Sequence, residues 1–435
     1  MIRFLFRRAF FLILTLLVVS VSIFLISEIA PGNIARNTLG NLTTPQQEAV
    51  FNAQNGLDQP LLSRYKRWML GSADEASQKL GLPVTRIFDA SNNRLSWWGV
   101  LPNGTLFQND TKDGENLIRL ERQPDGNVTE VALGAEAWQK DAKGFDVFWG
   151  IDKDSRAALW VRASQNEAWR TANNSWENSL GQPAQYMPLQ KGLLRGDPGI
   201  SFFTHRPVAE TLLPRILNTA YLAIIAFLIV MPLALLLGLV AGLNEGGFVD
   251  RFLSITSLVA TATPEFASGI FLVLIFANWL GWFPGAVVLT DGVSIFSSPS
   301  LLVLPVLTLT LIELGYVLRI TRASMVEVMR TNYIRTATLK GLPKWRIVFK
   351  HALRNALMAP ITIILLHVNY FIGGIVVVET LFGFPGLGRY ILEAALFKDV
   401  FAIEAAAMVL VLIAVGTQLI ADVIYTYINP RIRYA

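Results

Sequence analysis

Six long apolar runs divide the chain, and polar stretches that carry most of its charge separate them. The runs lie at Ala9–Ile29, about Ile216–Leu243, about Phe252–Trp279, Leu301–Ile320, Pro360–Thr380 and Glu404–Ile428. About 20 consecutive apolar residues are enough for an α-helix to cross the hydrocarbon core of a bilayer. The pattern therefore predicts an all-α polytopic membrane protein with six transmembrane helices.

A different pattern fills residues 71–190, between the first and second runs. Short segments of alternating polarity, among them PVTRIF, RLSWWGVL, NVTEVAL, FDVFWGI and AALWVRA, are separated by turn signals such as LPNG and QPDGN. Period-two alternation with such turns indicates β-strands, and about 120 residues can bury a core. We predict a mostly-β domain at 71–190, inserted between an N-terminal segment 1–70, with one span and a short helix, and a transmembrane domain 191–435.

Basic residues indicate the orientation of the spans. The loop at about 322–358 contains Arg322, Arg330, Arg335, Lys340, Lys344, Arg346, Lys350 and Arg354, and Arg3, Arg7 and Arg8 precede the first run. Short loops rich in Lys and Arg stay in the cytoplasm. This bias predicts that both termini and the 322–358 loop are cytoplasmic, and that the insert is periplasmic.

The amino-acid composition disfavours several classes of protein function. Hydrophobic residues make up 53% and charged residues 16% of the 435, too apolar for a soluble chain and too polar for spans alone. The net charge of +5 lies mainly in the loops predicted to be cytoplasmic, so it indicates topology and not nucleic-acid binding. The chain has no Cys, its three His are in separate segments, Glu327 and Glu379 stand alone, and no G-x-x-x-x-G-K-[ST] loop occurs. An enzyme, a metal site and an ATPase are therefore disfavoured.

The 322–358 loop has its own order. The stretch Thr336-Ala337-Thr338-Leu339-Lys340 is typical of a helix, Gly341 ends it, and Pro343 opens the next helix. A basic helix–turn–helix between two spans is predicted. A loop held only to anionic lipid would explain the charge but not this Gly and Pro punctuation.

This element resembles the EAA loop of binding-protein-dependent ABC importer permeases, most closely in the dipeptide/oligopeptide branch. The resemblance implies that Thr336, Ala337, Lys340, Gly341, Leu342 and Pro343 seat in a groove of an ATPase subunit. It also implies a C-type permease partner, two ATPases that bind ATP and Mg, a solute-binding protein and a bacterial inner membrane. The cargo of this branch is mostly peptide, with nickel chelates, opines and oligosaccharides as alternatives.

Two further motifs carry the same resemblance. The segment Glu379–Gly388, ETLFGFPGLG, is similar to the loop after the fifth span of the B-type permease, and Asn429–Arg433 is similar to its C-terminal signature, which usually begins with Asp. The resemblance covers the chain outside the insert.

Ionisable groups inside a bilayer are costly and mark pathways or pairs. Glu265, Glu313, His367 and Asn369 are therefore candidates for the translocation path, and the alternative is that they only tie helices together. In the insert, Trp97 and Trp98 are adjacent on one predicted strand and so face opposite sides. We expect one ring to be exposed or in a second interface, as a docking surface for the solute-binding protein or a neighbouring subunit. A passive channel or a membrane-bound sensor with an extracytoplasmic β domain is the alternative function.

Overall fold

The computed structural model describes residues 2–29, 33–40, 42–89, 94–112, 116–123, 126–142, 144–162, 169–170, 176–177, 183–288 and 295–428. The motif residues 429–433 lie outside this part of the chain. Two units make up the fold. The helical unit comprises Met1–Ser20, Leu212–Glu393 and Ala406–Ala435, and the mixed unit comprises Val21–Thr211 and Ala394–Ala405.

Helices precede the β-structure of the mixed unit. They are α1 (Ile2–Ile29), α2 (Ile34–Leu39), α3 (Pro45–Gln54), α4 (Leu61–Leu70) and α5 (Ala73–Leu80). A capping box starts α3: the Thr44 hydroxyl accepts from the Gln47 N–H, the Gln47 side chain accepts from the Thr44 N–H, and Pro45 takes the first helical position. Helix α4 is the short helix predicted after the first span.

Antiparallel sheets follow, as the alternating pattern predicts. The strands are β1 (Val84–Asp89), β2 (Arg94–Val100), β3 (Leu106–Lys112), β4 (Asn116–Arg122), β5 (Val128–Ala132), β6 (Gln139–Lys140), β7 (Asp146–Ile151), β8 (Arg156–Arg162), β9 (Trp169–Arg170), β10 (Trp176–Glu177) and β11 (Gln185–Pro188). Strands β1 to β5 form a five-stranded meander in chain order, and a four-stranded sheet has the order β11-β8-β7-β6. The predicted mostly-β region is supported.

Both tryptophans of the pair on β2 are buried. Trp97 is 5% exposed and packs with Ile151, Ala157 and Met187, and Trp98 is 6% exposed. The Trp98 Nε1–H donates to the Ser96 hydroxyl at 2.8 Å, and the Arg122 guanidinium lies 5.7 Å from the ring centroid. Neither ring is exposed, so the first alternative is wrong, and the second one, a separate interface for each ring, remains because this strand is covered on both faces.

The chain enters and leaves the β-region at one point. The Ser72 N–H donates to the Gln190 carbonyl (2.9 Å), and the Gln190 N–H donates to the Ser72 hydroxyl (3.0 Å). Gly71 (φ 91°) and Gly192 (φ 94°) let the two backbones approach, since a Cβ on either one would collide with the backbone of the other segment. We call Gly71–Ser72 together with Gln190–Gly192 the neck.

The helical unit contains the remaining apolar helices. The helices from here to the end of the chain are α6 (Val208–Leu243), α7 (Phe248–Ala262), α8 (Glu265–Leu272), α9 (Ser300–Met329), α10 (Asn332–Leu339), α11 (Lys344–Arg346), α12 (Leu353–Ala356), α13 (Met358–Phe382), α14 (Leu387–Phe397) and α15 (Val400–Ile428). Helix α9 packs against α7, α8 and α13. Its central position explains why Leu304, Val317 and Leu318 are almost fully buried.

The number of spans is not settled by helix length. Within the described residues, four helices are long and apolar enough to cross a membrane, and the number reaches seven if each of three bent helix pairs counts as one span. The predicted six lies between these values and stays a prediction. The predicted third span is not one straight helix, because α7 and the helix that starts at Glu265 meet at 111°. Pro264 lies at the break, where it has no N–H to continue the helical hydrogen bonds.

Candidate functional site

The predicted helix–turn–helix forms in the helical unit. Helix α10 ends at Leu339 with Lys340 as its C-cap, Gly341 follows in the left-handed region at φ 71°, and Pro343 precedes α11. A π-helical turn at Ile347–Ala352 and α12 then complete the second arm. The order of helix, Gly turn and Pro restart is the one read from the sequence.

The element has one face attached to its own chain. Ile334 (3% exposed) and Ala337 (8%) pack with Leu239 and Met325, together with Ile347 and Val348 of the second arm. Of the six predicted coupling residues, Thr336, Lys340, Gly341 and Pro343 are exposed, Leu342 is half-buried and Ala337 is buried. Ala337 and Leu342 therefore hold the element in place, and the other four lie on its free surface.

Sequence reasoning missed two apolar side chains on that free surface. Leu339 is 80% exposed and Trp345 is 63% exposed, with the Arg346 guanidinium 5.5 Å from the Trp345 ring. A signal was present in the sequence, since Leu339 is two residues from Ala337 and cannot share its face of a helix. An exposed Leu and Trp on neighbouring helices of a basic loop are typical of a binding surface.

An ion pair fixes the helices beside this element. Asp250 of α7 is buried and accepts hydrogen bonds from the Arg322 guanidinium of α9, with Nη2 to Oδ2 at 2.7 Å. The Gly246 N–H also donates to Asp250, at 2.9 Å. Such a bidentate pair restricts the relative position of two helices more than a single contact does.

Three of the four predicted pathway residues converge inside the helical unit. Glu313 of α9 is 3% exposed, and its Oε2 lies 3.3 Å from Nδ1 of His367 on α13. Glu265, the first residue of α8, lies against Gly374 of α13, where an added Cβ would meet its carboxyl group. The side chain of Asn369 lies outside the described residues. We call Glu265, Glu313 and His367 the acidic cluster.

The acidic cluster has the chemistry of a cation or hydrogen-bond site. Glu313 and His367 are in contact among apolar helices, Glu265 lies against the same helix α13, and the Tyr316 ring lies 5.1 Å from the His367 ring. Within the described residues, no group of three or more metal-ligating side chains could hold a metal ion. Buried acids in a helix bundle are retained where they face a polar path or a partner.

Glu379 is not isolated, in contrast to the interpretation from sequence. It is completely buried and accepts hydrogen bonds from the Thr219 hydroxyl (2.5 Å) and from the N–H groups of Gly388 (2.7 Å) and Arg389 (3.2 Å). Asn218 also donates to the Pro385 carbonyl at 2.9 Å. The ETLFGFPGLG segment thus comprises the end of α13, a turn at Gly383–Gly386 and the start of α14, and its hydrogen bonds fix it to α6.

Apolar helices with buried acids between them, and a basic helix–turn–helix at their polar end, define a membrane subunit of a transporter. Comparison with known proteins supports this assignment to a transporter. The family model "Binding-protein-dependent transport system inner membrane component" matches residues 234–434, and the model of the N-terminal part of such components matches residues 1–82. Residues 83–233, which include most of the β-region, are matched by neither model.

Curated relatives show the same family. The oligopeptide transport system permease protein AppB of Bacillus subtilis is 34% identical over 256 residues, which are 58% of this chain and 81% of the relative. The dipeptide transport system permease protein DppB of Alkalihalophilus pseudofirmus is 33% identical over 277 residues, 59% of this chain and 83% of the relative. The chain belongs to the family of binding-protein-dependent inner membrane transport components, and it is a permease subunit and not an enzyme.

Proposed function

We propose that this chain is the B-type membrane subunit of an ATP-driven importer of peptides. The observation that carries the proposal is the free surface of the helix–turn–helix, a basic patch around exposed Leu339 and Trp345 on an element packed firmly against α9. The names of the relatives support peptides as the cargo class. The partners are a C-type permease, two ATPases that bind ATP and Mg, and a solute-binding protein. Family membership disfavours a passive channel or a sensor.

The geometry suggests how ATP hydrolysis reaches the pathway. Met325, which packs against α10, and Glu313 of the acidic cluster are on the same unbroken helix, α9. Twelve residues of α-helix separate them, which corresponds to about 18 Å at 1.5 Å per residue. A displacement of α10 by the ATPases therefore moves Glu313 as part of a rigid rod. Alternating access follows if this motion opens and closes the path beside the acidic cluster.

The acidic cluster is proposed to receive the ammonium group of the peptide. In proteoliposomes with the complete complex and its solute-binding protein, a labelled dipeptide should be taken up with ATP. Glu313→Gln should lower the rate about tenfold or more, because a neutral amide no longer attracts the cation. Glu327→Gln is the matched control, on the same helix but exposed. ATP-independent uptake would contradict the importer, and an equal loss in both variants would contradict the role of Glu313.

The orientation is also a proposal, and the distribution of basic residues supports it. With the 322–358 loop in the cytoplasm, the β-region lies in the periplasm of a bacterium with two membranes. A reporter that is active only in the periplasm should be active when fused near Gly104 and inactive near Lys340. The opposite result would exclude this orientation.

A further inference from the structure

The mixed unit encloses a cavity of about 710 Å³ that the proposed transport path does not use. Its walls combine helix α3, strands β1 and β2, the β7–β8 turn and the segment that leads into α6. Small-molecule sites have volumes of about 300–1,000 Å³. The cavity therefore has the size of a small-molecule site. A site that binds another protein would need a broad flat surface instead.

Fixed charges of both signs line the cavity. Arg86 donates to Asp197 at 2.6 Å, and Asp197, which is 5% exposed, also accepts from the N–H groups of Lys191 (3.2 Å) and Gly199 (3.3 Å). This pair is a structural part of the wall, because its acid is already satisfied by three donors. In the β7–β8 turn, the Arg156 guanidinium lies 3.4 Å from the carboxylate of Asp154.

Two further charges are available to a ligand. Arg206 and Glu210 both line the cavity and are exposed, and within the described residues neither side chain has an ion-pair partner. Arg206 lies just before α6 and Glu210 lies in its first turn, so a cationic and an anionic group line the same cavity. The amides of Gln54 and Asn55 line the same cavity. Amide groups can both donate to and accept from a peptide backbone.

The backbone of the wall is strained at two positions. Ser155 (φ 66°) and His205 (φ 55°) line the cavity, and they are two of the three non-glycine residues with positive φ in the described chain. Ser155 is held there by the Trp97 N–H, which donates to its hydroxyl at 2.9 Å. Residues in such conformations persist only where the surroundings enforce them, and they cluster at ligand sites.

A titratable group lies beside this turn. Asp152 is buried next to Asp154 and Arg156, and its burial raises the pKa of the carboxyl group to about 6. Its Oδ1 accepts from the Arg156 N–H at 2.7 Å. This hydrogen bond stabilises the β7–β8 turn, which carries the cavity residues Asp154, Ser155 and Arg156. Perturbed groups of this kind are common next to functional sites.

We propose that this cavity binds a short peptide with free amino and carboxyl termini, with Arg206 facing the carboxylate and Glu210 facing the ammonium group. The proposal rests on the assignment to peptide import and adds a binding site on the permease itself. Trp97 and Phe51 supply apolar wall for the peptide side chains. A ligand that carries both charges matches these two opposite charges better than an anion, a cation or a neutral sugar does.

Isothermal titration of the purified permease complex without its solute-binding protein tests the site. The probes are trialanine and the same peptide with acetylated and amidated ends. Trialanine should bind. The blocked peptide has lost both charges, so its affinity should be lower by about tenfold or more. Arg206→Gln and Glu210→Gln should each weaken trialanine binding by about fivefold or more. Arg195→Gln is the control, since Arg195 pairs with the exposed Asp74 and does not line the cavity.

Equal affinity for free and blocked peptides, or unchanged binding in both cavity variants, would overturn the proposal. Variants that bind trialanine normally but lose capture of the solute-binding protein would overturn it as well, and would make the cavity a docking site. Uptake of trialanine by the complete system is measured in parallel. If trialanine is taken up but does not bind to the cavity, only the proposed cavity site is contradicted. If trialanine is not taken up, the assignment to peptide import is contradicted.

Discussion

Replacing Gly341 by Pro should abolish ATP-driven uptake while the protein remains in the membrane. Gly341 has φ 71°, and the proline ring fixes φ near −65°, so the turn between α10 and α11 cannot form. The two arms would then no longer present Leu339 and Trp345 on one surface. We expect uptake to fall by about a hundredfold or more, since coupling to the ATPases is lost and not merely weakened. Replacing Lys340-Gly341 by two Asp should have the same effect through charge.

Two matched variants separate this effect from misfolding. Gly341→Asn should keep most activity, because an added Cβ meets nothing within 4 Å and Asn tolerates positive φ better than most residues. Leu339→Glu keeps the turn but removes the apolar contact, and it should lose co-purification of the ATPases. The measurements are ATP-dependent uptake and the amount of ATPase that co-purifies. Normal uptake by Gly341→Pro would exclude a coupling role for this loop.

This element illustrates what the sequence could predict. Gly341 and Pro343 fix the ends of two helices through local backbone chemistry, so the helix–turn–helix was readable without tertiary contacts. Which side faces the rest of the chain was not readable in the same way. Ala337 matches the family motif but is buried against Met325, and Leu339 lies on the free surface. Burial depends on helices that are distant in sequence.

The wrong predictions for Trp97, Trp98 and Glu379 also have their cause in tertiary contacts that the sequence does not reveal. Alternation correctly placed Trp97 and Trp98 on opposite faces of β2, but it could not reveal that both faces are covered. Glu379 looked isolated because its donors are Thr219, on a helix 160 residues earlier, and the backbone of the first turn of α14. For Glu265, Glu313 and His367, the sequence predicted only that each ionisable group inside a span faces a polar path or a partner. It did not predict that the three residues lie near one another.

Removing the inserted β-domain should leave an assembled permease that captures peptide poorly. The neck makes this deletion feasible: Ser72 and Gln190 are joined by two hydrogen bonds that do not involve residues 73–188. A short Gly/Ser bridge from Ser72 to Leu189 therefore joins two points that are already adjacent. The family models match residues 1–82 and 234–434, on both sides of the β-region.

One contact across the deletion requires a control. Arg86 is lost, and Asp197 then keeps its two backbone donors but not its cation. A buried carboxylate without its partner is destabilising, so the deletion is also made with Asp197→Asn. If the two deletion variants have different yields, the difference measures this single contact. If both assemble with the C-type permease and the ATPases, the insert is not required for folding.

The expected result is a specific defect in capture. At limiting solute-binding protein, uptake by the deletion variant should fall by about tenfold or more, because strands β1 and β2 and the β7–β8 turn, which form walls of the cavity, are absent. Basal ATPase activity should be unchanged, since the helix–turn–helix and α9 are intact. Uptake that equals wild type at every concentration of binding protein would show that the insert has no role in delivery. Loss of assembly in both deletion variants would instead make the β-domain a structural part of the transporter.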